Sequence, residues 1–250
     1  MKRTPDTSRA GSTGRGARDA DAAPGDPPGR GDLRAALLDP EGGAGAELRG
    51  HVPDDPLGVV LVLHGGAERG RMPVAWWRLP VLRMVPFATV ITRRARDDLA
   101  VLRLKNRVRG WNGSRQDPVH DARWALDRIR RTLPGVPIVL VGHSMGGRVA
   151  LRLCGEPGVA GVVALAPWVE SDVRQPRPGI PVLLVHGSAD RITDPRRTAI
   201  LAKRLSDNGV DVTHVVVEGG NHAMLRDPAR WHDTVADFVS DVLLAPGRTS

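Results

Sequence analysis

From Gly58 onward the chain alternates short, continuous apolar runs with longer stretches in which apolar residues recur every three or four positions. Runs of four to eight apolar residues fit strands buried on both faces, whereas the 3.6-residue period fits helices that turn one stripe inward. The pattern predicts strands near 58–64, 99–104, 137–142, 159–165, 181–186 and 210–217, and helices near 72–84, 118–133, 145–154, 195–206 and 229–244. Such alternation implies an α/β architecture, a mostly parallel twisted sheet covered on both faces, with its ligand site at the carboxyl ends of the strands. Ahead of it, Leu33–Leu38 and Ala46–Val52, separated by Asp39-Pro40-Glu41-Gly42-Gly43, predict an opening antiparallel hairpin. Residues 1–32 are rich in Gly, Ser, Asp, Arg and Pro and lack an apolar period. They are expected to form a disordered tail in front of a single domain spanning 33–250.

The sharpest chemical signal follows the apolar run Val136–Val141, where Gly142-His143-Ser144-Met145-Gly146-Gly147 places Ser144 in a G-x-S-x-G elbow. A serine held on a strained strand-to-helix turn, its hydroxyl above the sheet edge, needs small neighbours two residues to either side. Gly142 and Gly146 supply them. The N–H of Met145, at the start of the next helix, would then face an oxyanion forming on a substrate carbonyl. The competing reading is a plain helix N-cap, since serine is favoured there.

With the elbow in place, the chain resembles the α/β-hydrolase superfamily, in which the acid and then the histidine follow the serine. Val182–Val185 leads into His186-Gly187-Ser188-Ala189-Asp190, similar to the family's acid-bearing turn, and Asp190 is the matching residue. Val210–Val217 leads into Glu218-Gly219-Gly220-Asn221-His222, which resembles the loop that carries the family's histidine, and His222 is the match. Upstream, Val59–Leu63 runs into His64-Gly65-Gly66-Ala67, similar to the segment that supplies the second oxyanion donor; Gly66 is the first choice and Ala67 the next. The segment Arg103–Gly113 resembles the family's strand and R-x-G turn, which buttresses that loop. Only about fifteen residues, Ala166 to Ile180, stand where many relatives insert a helical cap, so the resemblance implies an open site with a minimal cap. It covers roughly residues 58–244.

The resemblance implies a triad of Ser144, His222 and Asp190, with the amides of Met145 and Gly66 as the oxyanion hole. A serine hydroxyl needs an imidazole to take its proton, and the imidazole needs a carboxylate to fix its tautomer. Asp190 could instead be a turn-former, while Asp194, directly before Pro195, reads as a helix cap. Trp168 and Trp111 each have two readings, a wall of the substrate pocket or a packing residue. His64 and His143 read as supports for their turns. A serine rather than an aspartate at the elbow argues against a carboxylate nucleophile.

Composition modifies this picture little. The 250 residues, 41% hydrophobic, suffice for one core. The sole cysteine, Cys154, rules out an intrachain disulfide and falls where a packed thiol is expected. No apolar run reaches the length of a membrane helix and no secretory signal opens the chain, so a cytoplasmic address without a membrane partner is expected. The net charge of +8 is nearly all arginine scattered among acids. A phosphate-binding surface needs clustered charge, so no nucleic-acid partner is expected. The expected function is a serine hydrolase that cleaves a carboxylic ester or thioester of a small substrate through an acyl-enzyme, with no cofactor and no metal. An acyltransferase, or a catalytically silent binding protein on the same fold, is the alternative. Oligomeric state is not legible.

Overall fold

A computed structural model of the chain describes residues 34, 35, 37, 38 and 45–245. The tail expected over 1–32 lies outside the described residues. The strands are β1 (Glu47–His51), β2 (Gly58–Leu63), β3 (Leu99–Lys105), β4 (Ile138–His143), β5 (Val159–Leu165), β6 (Val182–Gly187) and β7 (Val212–Val217). The helices are α1 (Leu79–Leu82), α2 (Val85–Ala95), α3 (Asp117–Thr132), α4 (Met145–Arg152), α5 (Pro195–Asp207) and α6 (Pro228–Leu243). The strands form a seven-stranded sheet in the order β1-β3-β2-β4-β5-β6-β7, antiparallel only between β1 and β3.

Period-two geometry explains the continuous apolar runs. In β2, Val59, Leu61 and Leu63 enter one core and Val60 and Val62 the other. Strands β4, β5 and β6 repeat this division, so both faces are apolar until the carboxyl ends, where His143 and His186 stand. On one face the core is completed by Ala122, Leu126 and Ile129 of α3, Val149 of α4, and Leu201 and Leu205 of α5. On the other it is completed by Phe87 and Ile91 of α2, and Trp231, Val235 and Val239 of α6. Arg94 of α2 bridges Asp233 of α6 at 2.8 Å and also pairs with Asp237. Cys154 is buried, its thiol facing Arg174 O at 3.5 Å, and burial raises its pKa to about 11. No helix among the described residues is long and apolar enough to cross a membrane.

Two expectations need correction. The opening hairpin does not form: residues 34, 35, 37 and 38 are helical, and Leu37 is buried in the core beside α3. The strand expected over 46–52 is real, but its partner is β3, with Glu47 opposite Lys105 and the two side chains ion-paired. The helix expected over 72–84 is also displaced. Pro80 and Pro86 stand in the first turns of α1 and α2, where proline's missing N–H costs nothing, so they break the apparent period into two helices. The longer one, α2, lies almost wholly beyond the expected span and carries Val85, Thr89, Val90, Ile91 and Thr92, residues of modest helix propensity.

After β3 the chain crosses β2 to reach β4, so the order of connection reverses between β2 and β4. A crevice opens at such a switch point, outside the carboxyl ends of the two strands. There α4 lies close on the sheet. A Cβ built on Gly146 would sit 2.3 Å from Leu63 O, a backbone atom that cannot swing away. Gly146→Ala is therefore expected to lower stability by about 1–3 kcal/mol, the range for overpacking a close-packed site. Urea denaturation should show this shift in midpoint for Gly146→Ala and almost none for Gly155→Ala, whose added Cβ meets nothing within 4 Å. Equal midpoints for the two variants would contradict the close approach.

Candidate active site

Ser144 sits between β4 and α4 with φ 54° and ψ −113°, a backbone region that side chains rarely occupy. Its N–H donates to Leu165 O at 2.9 Å, and its carbonyl accepts from Arg148 N and Trp168 N, both at 3.1 Å. These bonds fix the turn from the next strand as well as from its own helix. The turn also requires Gly142, since a Cβ there would lie 2.1 Å from Gly146 O. Met145 opens α4, so its N–H belongs to the first turn, where no helical carbonyl is available to it.

Asp190 follows β6, and its carboxylate is fully enclosed. Oδ1 accepts from Ile192 N at 2.8 Å and Thr193 N at 3.1 Å. Oδ2 accepts from Thr193 Oγ1 at 2.9 Å and lies 3.2 Å from His186 Nε2 and 2.8 Å from His222 Nδ1. Burial alone would raise this pKa, but the imidazole and amide bonds outweigh it and hold the carboxyl well below the usual carboxylate range. Facing a permanent carboxylate, His222 keeps its proton on Nδ1 and leaves Nε2 as the acceptor. Asp194 sits elsewhere, exposed at the start of α5, where it accepts from Arg196 N at 2.9 Å as a helix cap.

His186 and Thr193, to which the sequence motifs assign no role, complete this cluster. His186 is fully buried, with Nδ1 2.8 Å from Thr198 Oγ1. The Thr193 hydroxyl reaches both Asp190 Oδ2 and Ala166 O, the latter at 3.1 Å, and so ties the acid turn to the end of β5. The available signal was the Asp-x-x-Thr spacing, which suits a turn closed through the aspartate side chain.

His143 joins the serine and histidine segments. Its Nε2–H donates to His222 O at 2.9 Å, and the two rings lie 4.8 Å apart. Burial, with the neighbouring His222, lowers its pKa to about 3. His64 is likewise buried and its pKa is lowered to about 4. Its Nδ1–H donates to Gly65 O at 2.7 Å while Nε2 accepts from Asn106 N at 3.2 Å, which fixes one neutral tautomer. Both histidines thus support turns, as the sequence implied.

In the loop after β2, the Ala67 N–H is already given to Arg109 O at 2.9 Å, and Trp111 N returns a bond to Ala67 O at 2.9 Å. Ala67 is thereby unsuited as an oxyanion donor, and Gly66 remains the candidate. Gly66 packs so tightly between Arg109 O and Met145 that a Cβ would come within 2.5 Å of each. The segment after β3 buttresses this loop.

The two tryptophans share a contact. Trp111 is buried in the core, and the Arg148 guanidinium lies 3.9 Å from its ring and 4.4 Å from that of Trp168. Asp172 pairs with the same guanidinium at 3.0 Å. This stack anchors residues 166–181, which contain no helix or strand, onto α4. The cavity that opens against the loop after β2 has a volume of about 240 Å³ and is lined by His64, Gly66, Val74, Arg78, Val81 and Arg109 among others, with neither tryptophan in its wall.

Residues 105–180 match the family described as serine aminopeptidase (S33), and residues 170–245 match the prolyl oligopeptidase family. A 53-residue stretch is 42% identical to human monoglyceride lipase, covering 20% of this chain and 18% of that protein. The chain thus matches less than a fifth of that relative's length. Among solved structures, a lidless α/β serine hydrolase from Xanthomonas campestris is 20% identical, with a TM-score of 0.60 over 81% of this chain and 91% of that one. An α/β serine hydrolase homologue from Coxiella burnetii is 17% identical, with a TM-score of 0.59 over 80% and 94%. A monoacylglycerol lipase from Paleococcus ferrophilus is 18% identical, with a TM-score of 0.58 over 78% and 98%. The sheet order, the elbow at its switch point and these matches together make the chain a member of the α/β-hydrolase superfamily.

Proposed function

We propose that the chain is a serine hydrolase that cleaves a carboxylic ester or thioester of a small substrate through an acyl-enzyme. The observation that carries this reading is the 2.8 Å contact of His222 Nδ1 with a carboxylate kept ionised, on a loop bonded to the residue beside Ser144. Ser144 Oγ attacks the carbonyl carbon as His222 Nε2 takes its proton, and the Met145 and Gly66 amides hold the oxyanion. Collapse breaks the bond to the leaving oxygen or sulfur, which departs with the proton from His222. Water, deprotonated by the same imidazole, then attacks the acyl-enzyme, and Ser144 recovers its proton as the acid leaves. The ester preference is supported by the lipase names of two relatives and by the open stretch over 166–181.

Ser144→Ala is expected to abolish both fluorophosphonate labelling and hydrolysis of a chromogenic ester panel of increasing acyl length, with an unchanged melting temperature. Labelling of wild type without turnover of any ester, but with turnover of amino-acyl p-nitroanilides, would replace the ester reading with a peptidase one. Labelling together with acyl transfer to added alcohols in preference to water would make the protein an acyltransferase. Asp190→Asn should lower kcat by about 10⁴-fold. Asp194→Asn should cost at most about 1 kcal/mol of stability with kcat retained; the reverse ranking would reassign the acid.

The buried histidines give a pH dependence of stability. His64 and His143 titrate at about 4 and about 3 in the fold, against about 6.5 when unfolded. Below pH ~6.5 the unfolded chain takes up protons that the folded chain refuses, so their contribution is full above that pH and is lost as pH falls toward 4 and 3. Asp190 acts with the same sign at lower pH, since its contribution is complete above ~3.9 and lost below it. The melting temperature should therefore fall between pH 6.5 and 4. His143→Gln, which can still donate to His222 O, should show a shallower fall; an identical slope would mean that His143 does not contribute.

A further inference from the structure

Arg78 and Arg109 both line the 240 Å³ cavity beside Gly66, whose other walls are backbone, aliphatic side chains and a neutral His64. No carboxylate lines it. Among the described residues neither arginine has an ion pair, and the one polar contact of either side chain is Arg109 Nη1 on Met72 Sδ at 3.9 Å. Other arginines divide: Arg94, Arg107, Arg115, Arg123, Arg148 and Arg197 face carboxylates within 4 Å, whereas Arg93, Arg196, Arg204 and Arg230 have no ion pair among the described residues. Arg83, between α1 and α2, is also without an ion pair among the described residues. The positive charge lining this cavity therefore has no carboxylate partner among the described residues.

An arginine fork matches a carboxylate or phosphate, and a concave, partly apolar site strengthens the match by excluding water. The cavity is smaller than the ~300–1,000 Å³ typical of sites that enclose a whole drug-sized ligand, so it suits one short arm of a substrate. We propose that this cavity receives an anionic group, a carboxylate or phosphate, carried by the ester and held by Arg78 and Arg109, so that the preferred substrates are anionic esters. The inference rests on the serine hydrolase reading and specifies its substrate class.

The anion could sit on the acyl chain or on the alcohol, and two substrate pairs separate these sources. Hydrolysis of monomethyl glutarate is compared with that of methyl pentanoate, and hydrolysis of butyryl glycerol phosphate with that of butyryl glycerol, at low and high salt. The expected result is a kcat/KM preference of roughly 10- to 100-fold for the anionic member of one pair, the size of a charge-assisted hydrogen bond. That preference should shrink with salt and fall toward one in Arg78→Gln/Arg109→Gln. Because the readout is a ratio within one preparation, a general loss of activity in the variant cancels.

Binding gives a second readout that needs no turnover. Calorimetry of monomethyl glutarate and glycerol phosphate on Ser144→Ala should detect one of the two, with at least a tenfold loss of affinity when both arginines are also replaced. Normal fluorophosphonate labelling with equal kcat/KM for neutral and anionic esters, or an anion preference untouched by the arginine substitutions, overturns the inference alone. Absent labelling overturns the hydrolase reading, and the binding arm then still decides whether the cavity takes an anion.

Discussion

Helix α4 lies so close on the ends of β2 and β4 that no side-chain atom fits between them at Gly142 or Gly146. This contact sets the other distances in the site. It holds Ser144 in a backbone region that a free chain would leave, because the amide and carbonyl on either side of it are bonded to β5, α4 and Trp168. It brings the Met145 side chain against Gly66 and so sets the loop after β2 at the first turn of α4. Strain at one residue is tolerated because a buried two-faced sheet over-determines it.

The electrostatics follow the same logic of enclosure. The elbow and acid turn are surrounded by His64, His143 and His186, all buried, and by His222, partly so. Desolvation keeps His64 and His143 neutral, and each then has a defined donor nitrogen aimed at a backbone carbonyl. The single negative charge, on Asp190, is stabilised by directed N–H and O–H bonds rather than by a cation. Cations were kept for the periphery: Arg148, caught between two tryptophans and Asp172, fastens the stretch that takes the place of a cap, while Arg78 and Arg109 stand at the cavity mouth.

The peptidase names of the two matching families and the lipase names of the relatives describe proteins on one fold that cut different bonds. A shared elbow and acid turn are compatible with all of them, because the chemistry of acyl transfer from serine is common to esters and amides. Fold alone does not separate them; beside Gly66 this chain places a cavity lined by Val74, Arg78, Pro80, Val81 and Arg109.

The sequence by itself determined the parallel α/β architecture, since strands buried on both faces must read as continuous apolar runs and β2, β4, β5 and β6 do. It also placed Ser144, Asp190 and His222 at strand ends, because each sits in a local motif whose glycines and turn residues are adjacent in the chain. Tertiary structure decided whatever depends on partners far away in sequence. Helix α2 has weak intrinsic propensity and stands by packing on α6 through Phe87 and Ile91. The pattern over 33–38 predicts a strand, but residues 34, 35, 37 and 38 are helical and β1 takes its hydrogen bonds from β3 instead. The choice of Gly66 over Ala67 came from a bond to Arg109, forty-two positions on, and the joint contact of Trp111 and Trp168 with Arg148 joins residues far apart in the chain. His186 and Thr193 lie within four residues of Asp190, yet a histidine ending a buried strand and a threonine in a turn have many uses. Only the folded positions of Thr198, Ala166 and His222 give these two theirs.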